Sequence, residues 1–142
     1  MSIEENKTLA RQFIEEGFNK GNLAVADTII ASNFANYDPG TPPLSAGPEG
    51  YKQLVTAYRT AYPNLNLAID DLFAEGNKVG VRWTARGTHT GPLGDIPPTG
   101  KQATMTGISV LTIAEGKVSE QYTNWDTLGM LQQLGVIPTP GA

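Results

Sequence analysis

Apolar residues recur at helical spacing in the first part of this chain and at strand spacing in the second. Ala10, Phe13, Ile14, Gly17 and Phe18 form one helical stripe. Ser2 precedes it with Glu5 three residues on, the spacing of a capping box, so a helix is predicted from Ser2. Gly21-Asn22 ends it, and Leu23, Ala26, Ile29 and Ile30 mark a second helix leading into Phe34 to Tyr37. Tyr37-Asp38-Pro39-Gly40 reads as a turn, and the Pro- and Gly-rich stretch to Gly50 as a surface loop. Pro48 suits the first position of a third helix carrying Tyr51, Leu54, Val55, Tyr58 and Tyr62, which Pro63 stops.

Beyond Pro63 the period is two. Leu65, Leu67 and Ile69 alternate with Asn66, Ala68 and Asp70, and the phase slips at Asp70-Asp71, which predicts a bulge. Glu75-Gly76-Asn77-Lys78 is a hairpin turn. Val79, Val81, Trp83, Ala85, Gly87 and His89 share one strand face, with Arg82, Thr84, Arg86 and Thr88 on the other. Gly91 to Gly100 reads as a rigid loop, and Ala103 to Ala114, apolar on both faces, as a central strand. Glu115-Gly116 turns into a last strand that places Val118, Glu120, Tyr122, Asn124 and Asp126 on one face. A closing helix carries Leu128, Leu131 and Leu134, with Gly135 at its cap. Helices first, hairpin-linked strands next and a helix last predict an α+β fold with an antiparallel sheet, one domain over 1–142. A curved sheet over the helices would enclose a pocket.

Composition narrows the chemistry. The 142 residues are 39% hydrophobic and 17% charged, enough for a packed core. A net charge of −4 without any basic run argues against nucleic acid or an anionic membrane as partner. With no cysteine and a single histidine, disulfides, thiolate zinc sites, cysteine nucleophiles and multi-histidine metal centres are excluded within one chain. The N-terminus is polar and no apolar run is long enough to span a bilayer, so a soluble, cytoplasmic protein is expected.

Several stretches together resemble the SnoaL-like polyketide cyclases, or ester cyclases, of the nuclear transport factor 2-like superfamily. They are Gly47 to Leu65, Val81 to Gly91, Ile96 to Lys101 and Asn124 to Gly135. The resemblance covers nearly the whole chain. It implies a cone-shaped, curved antiparallel sheet wrapped over N-terminal helices, an NTF2-like, cystatin-like α+β barrel with the pocket inside. It also implies aldol-type ring closure of a polyketide ester without metal or cofactor, and a homodimer. Asp126 matches the family's acid/base aspartate, and His89 the histidine of its Gly-Thr-His-Thr-Gly segment. The chain departs from many relatives near the expected pocket, with Tyr37 where they have a histidine before Asp-Pro and Gln121-Tyr122 where they often have His-Trp.

Removing a proton next to a carbonyl needs a positioned base and a group that steadies the enolate oxygen. Asp126 is the candidate base; equally, it suits the N-cap of the helix that follows. His89 is the candidate donor or orienting group; the alternative is a neutral histidine satisfied by backbone at a strand end. Tyr37, Tyr58, Trp83, Met105 and Tyr122 are the candidate substrate wall, for a small apolar or polycyclic molecule, with core packing as the alternative for each. Two other functions remain open: a non-catalytic small-molecule-binding or dimeric scaffold module, and an epoxide hydrolase using an Asp-Arg-Asp set.

Overall fold

The computed structural model describes residues 2–140. Helix α1 (Ile3–Gln12) starts with the capping box: Ser2 Oγ accepts from the Glu5 amide at 3.0 Å, and Glu5 Oε1 accepts from the Ser2 amide at 3.1 Å. It runs on into a wider π-helical segment, Phe13–Asn19. Tyr51 explains the fit there: its hydroxyl donates to the Phe13 carbonyl at 2.5 Å. Gly17 makes room for that ring, since a Cβ at Gly17 would lie 1.8 Å from the Tyr51 hydroxyl oxygen.

The second helical stripe is shorter than its apolar spacing predicts. A 3-10 turn (Leu23–Val25) and one turn of α2 (Ala26–Ile29) give way at Ile30 to strand β1 (Ile30–Tyr37). Helix α3 (Pro48–Ala61) follows, with Pro48 at its first turn. Then come β2 (Asn66–Glu75), β3 (Lys78–Thr88), β4 (Gln102–Ala114), β5 (Lys117–Trp125) and α4 (Thr127–Gln133). The sheet order is β1-β5-β4-β3-β2. β2 to β5 are antiparallel neighbours as predicted, but β1 pairs parallel with β5, so the five-stranded sheet is mixed. It is curved and open, with β1 and β2 as its edges, and packs against the N-terminal helices.

The bulge at Asp70 is present: Ile69 faces Trp83 and Asp71 faces Arg82, leaving Asp70 as the extra residue. A second bulge, at Ser119, sets the phase of β5. Ile113 faces Val118 and Thr112 faces Glu120, and Ser119 Oγ donates to the Thr112 carbonyl at 3.2 Å. Val118 and Ser119 are both buried. Beyond the bulge, Gln121, Thr123 and Trp125 therefore point inward, and Glu120, Tyr122 and Asn124 outward.

The core lies between the helices and the inner face of the sheet. Phe13, Phe34 and Tyr51 cluster at its centre, with the Phe13 and Tyr51 ring centroids 4.8 Å apart. At the far end of the sheet, the His89 amide donates to Lys101 and the Gly100 amide to His89, both at 2.8 Å, closing the Gly91–Gly100 loop. Among the described residues, no helix is long and apolar enough to cross a membrane.

Candidate active site

A cavity opens where the core stops short of the sheet. It is narrow and partly open, with about 60 Å³ free to the centres of water-sized molecules. The helices contribute Ile14, Phe18, Leu54, Tyr58 and Tyr62. The inner sheet face contributes Trp83, Ala85, Met105, Ser109, Gln121, Thr123 and Trp125. Asp38, just past the end of β1, is the one carboxylate lining the cavity among the described residues.

Asp38 reaches the cavity by strand alternation: Phe34, Asn36 and Asp38 fall on the same face of the chain leaving β1. Its carboxylate is held from three sides. The Gly40 amide donates to Oδ1 at 2.8 Å and Thr41 Oγ1 to Oδ2 at 2.6 Å. The Trp125 indole N–H is shared between the two oxygens at 3.2 and 3.1 Å. A threonine hydroxyl has one proton. With that proton on Asp38, Thr41 must accept from the Tyr58 hydroxyl, 2.9 Å away. A relay therefore runs from Tyr58 through Thr41 to Asp38. Burial raises the Tyr58 pKa; the Thr41 hydrogen bond opposes the rise and the Asp38 charge adds to it. The Trp125 ring stands edge-on to Tyr58, centroids 5.8 Å apart.

A second polar set crosses the sheet floor. Trp83 donates to Ser109 Oγ at 3.0 Å, and Ser109 and Thr123 share a 2.7 Å hydrogen bond. Gln121 Nε2 donates to Asn36 Oδ1 at 2.7 Å. Gly107 lets both indoles approach: a Cβ there would lie 2.4 Å from the Trp83 ring and 2.7 Å from Trp125 Cβ.

Of the residues singled out from sequence, Tyr58, Trp83 and Met105 line the cavity. Tyr37 and Tyr122 do not. They stack on each other on the outer face of the sheet, centroids 4.4 Å apart, and are 46% and 47% exposed. Asp126 is also outside, where its alternation from Val118 had put it inside. The Ser119 bulge reverses that alternation, so the strand turns Trp125 toward the cavity and leaves Asp126 exposed. There Asp126 caps α4, accepting from the Gly129 amide at 2.8 Å.

His89 is buried, 0% exposed, but is not among the lining residues. Its Nδ1 accepts from the Thr99 amide at 3.2 Å and meets Thr99 Oγ1 at 3.0 Å. Burial lowers its pKa. Among the described residues, no hydrogen bond joins His89 to Asp126. Arg82 faces outward as predicted and binds Asp71 at 2.7 Å and Asp70 at 3.6 Å, an exposed set away from the cavity. No group of three or more metal-ligating side chains occurs among the described residues.

The fold is also that of known proteins. The family model for SnoaL-like polyketide cyclases matches residues 8–134. The chain belongs to that family. A provisionally named polyketide cyclase from Acidithiobacillus ferrooxidans is 33% identical, with TM-score 0.84, and the match covers 96% of this chain and 99% of that one. IdmH from Streptomyces antibioticus, also provisionally named a polyketide cyclase, is 29% identical with TM-score 0.75, covering 93% and 99%. A Catenulispora acidiphila protein with a ketosteroid isomerase-like fold, solved with trimethylamine, superposes with TM-score 0.75 over 89% and 92% of the two chains. At 12% identity it speaks for the fold alone. No curated protein matches the chain.

In this SnoaL-like domain, Gln121, singled out from sequence as a departure near the pocket, does line it, while the residues that pattern reading overlooked as site residues are Asp38, Thr41, Thr123, Trp125 and Tyr62. A signal existed for Asp38. Had Ile30 to Tyr37 been read as a strand, period two from Phe34 would have carried Asp38 to the inner face. No comparable local signal marks the bulge that brings Gln121, Thr123 and Trp125 inside.

Proposed function

We propose that this SnoaL-like chain is an acid/base catalyst of carbon-acid chemistry, closing a ring in a polyketide ester or related apolar carbonyl compound, with Asp38 as the base. The observation that carries the reading is that Asp38 is, among the described residues, the one carboxylate on the cavity wall, oriented by Gly40, Thr41 and Trp125. In an intramolecular aldol step, the Asp38 carboxylate takes a proton from the carbon beside a carbonyl. The enolate carbon forms a bond to a second carbonyl carbon of the same molecule, and the alkoxide so produced takes the proton back from Asp38. Tyr58, whose proton goes to Thr41, holds that hydroxyl and through it the Asp38 carboxylate in place. The scheme calls on no metal or coenzyme. Asp126 and His89 enter it as structural residues, one at the cap of α4 and one under the Gly91–Gly100 loop.

A homodimer goes with this reading, and so does a cytoplasmic location. One row of paired residues crosses all five strands on the outer face: Tyr37, Tyr122, Val110, Gly80 and Phe73. Phe73 is 58% exposed in it, and such a stripe suits a second copy of the chain. A non-catalytic binding module is the second reading, supported by the largely apolar helix side of the cavity.

Asp38→Asn assayed on a panel of polyketide methyl esters separates the two. The catalytic reading predicts loss of turnover by a folded variant. Undiminished turnover would remove Asp38 from the chemistry.

A further inference from the structure

Tyr62 ends α3 one turn beyond Tyr58 and lines the same cavity. It is 0% exposed, yet among the described residues its hydroxyl has no hydrogen-bond partner. The other fully buried tyrosine, Tyr51, has one in the Phe13 carbonyl. Buried hydroxyls in folded proteins are as a rule paired, so an orphan on a cavity wall marks a place where an occupant supplies the partner. The ring is fixed by its neighbours. A Cβ at Gly87 would lie 2.8 Å from Tyr62 Cβ, and the His89 ring packs against Tyr62 with centroids 5.5 Å apart. The lining side chains Leu65, Leu67, Ala85 and Met105 offer only a weakly accepting thioether, and the adjoining His89 ring keeps a buried Nε2 that is likewise without a partner among the described residues. Burial, and then the neighbouring Tyr58, push the Tyr62 pKa up to about 12, so at neutral pH the group keeps its proton. The Tyr58 proton is engaged by Thr41; that of Tyr62 is free.

We infer that the Tyr62 hydroxyl anchors the ligand, donating to a carbonyl oxygen on an otherwise apolar ring whose acidic carbon lies toward Asp38. This rests on the proposed reading of the cavity and narrows its substrate class to cyclic or ring-forming ketones bearing one inward oxygen. Tyr62 is a positioning residue for binding, and Asp38 remains the base.

The test uses 1-tetralone and tetralin, a bicyclic ketone and its oxygen-free counterpart, as probes. Both tryptophans of the chain, Trp83 and Trp125, line the cavity, so binding is read from tryptophan emission. The ratio of the two affinities is measured in the parent chain, in Tyr62→Phe and in Asp38→Asn. A single neutral hydrogen bond changes affinity by about 3- to 10-fold. Tyr62→Phe should lower the preference for 1-tetralone by that factor, leave tetralin binding unchanged and leave the melting temperature undiminished. Asp38→Asn should keep the preference while losing turnover. The inference is overturned if Tyr62→Phe keeps the parent preference, or if the parent chain binds neither probe. Retained turnover in Asp38→Asn with a lost preference in Tyr62→Phe would instead sink the assignment of the base alone.

Discussion

Replacing Trp125 by phenylalanine removes the indole N–H that Asp38 shares between its two oxygens at 3.2 and 3.1 Å, and keeps an aromatic ring against Tyr58. Hydrogen bonds to charged groups contribute about 1.5–3 kcal/mol. This one is long, divided and half-solvated, so about 1 kcal/mol is the reasonable share. Shrinking the ring removes roughly 40 Å² of apolar contact, about 1 kcal/mol more. The sum, about 2 kcal/mol, should lower the melting temperature by roughly 4–8 °C in a domain of this size. A double-mutant cycle isolates the hydrogen bond from the packing. Trp125→Phe, Asp38→Ala and the double variant are unfolded in urea, and their stabilities compared with the parent chain. The geometry predicts a coupling of about 1 kcal/mol between the two sites. Additivity to within roughly 0.3 kcal/mol would refute the claim that Trp125 holds the Asp38 carboxylate.

Three further outcomes follow from the packing and charges. Gly17→Ala should destabilise the fold by about 1–3 kcal/mol, because the new Cβ meets the Tyr51 hydroxyl, and adding Tyr51→Phe should recover part of that loss in thermal melts. His89 is held below its ordinary 6.5 by burial, so the unfolded chain takes up its proton first as pH falls. Its stabilising contribution is complete above about pH 6.5 and is lost on acidification below it; His89→Gln should flatten the melting curve between about pH 7 and 5. Tyr122→Lys, in the middle of the outer aromatic row, should shift a dimer toward monomer by sedimentation velocity, and an unchanged sedimentation coefficient would argue against that face as the contact.

What was legible in the sequence were the features that local chemistry fixes. The Ser2–Glu5 capping box, the Pro48 start of α3, the Asp70 bulge and the Gly135 cap all occur where their residues predicted them. Period alone put Tyr58 and Trp83 on the cavity side, because α3 and β3 carry unbroken apolar faces. β1 was lost because Ile29 and Ile30 extend a helical stripe, while the pairing that makes Ile30 to Tyr37 a strand comes from β5, far along the chain. The position of Asp126 was lost to one extra residue. Ser119 is an ordinary strand residue in sequence, and its bulge shows only in the register between β4 and β5. A one-residue slip moves every later side chain to the other face, and so the inward acid became Asp38 in place of Asp126.

The most direct test sets those two carboxylates against each other. Asp38→Asn and Asp126→Asn are assayed in parallel for ring closure of the same polyketide methyl esters, with folding checked by circular dichroism. Asp38→Asn should lose about 10²- to 10⁴-fold in kcat, while Asp126→Asn, in which asparagine still caps α4, should stay within a few-fold of the parent chain. Loss of turnover in Asp126→Asn, with Asp38→Asn fully active, would contradict the account.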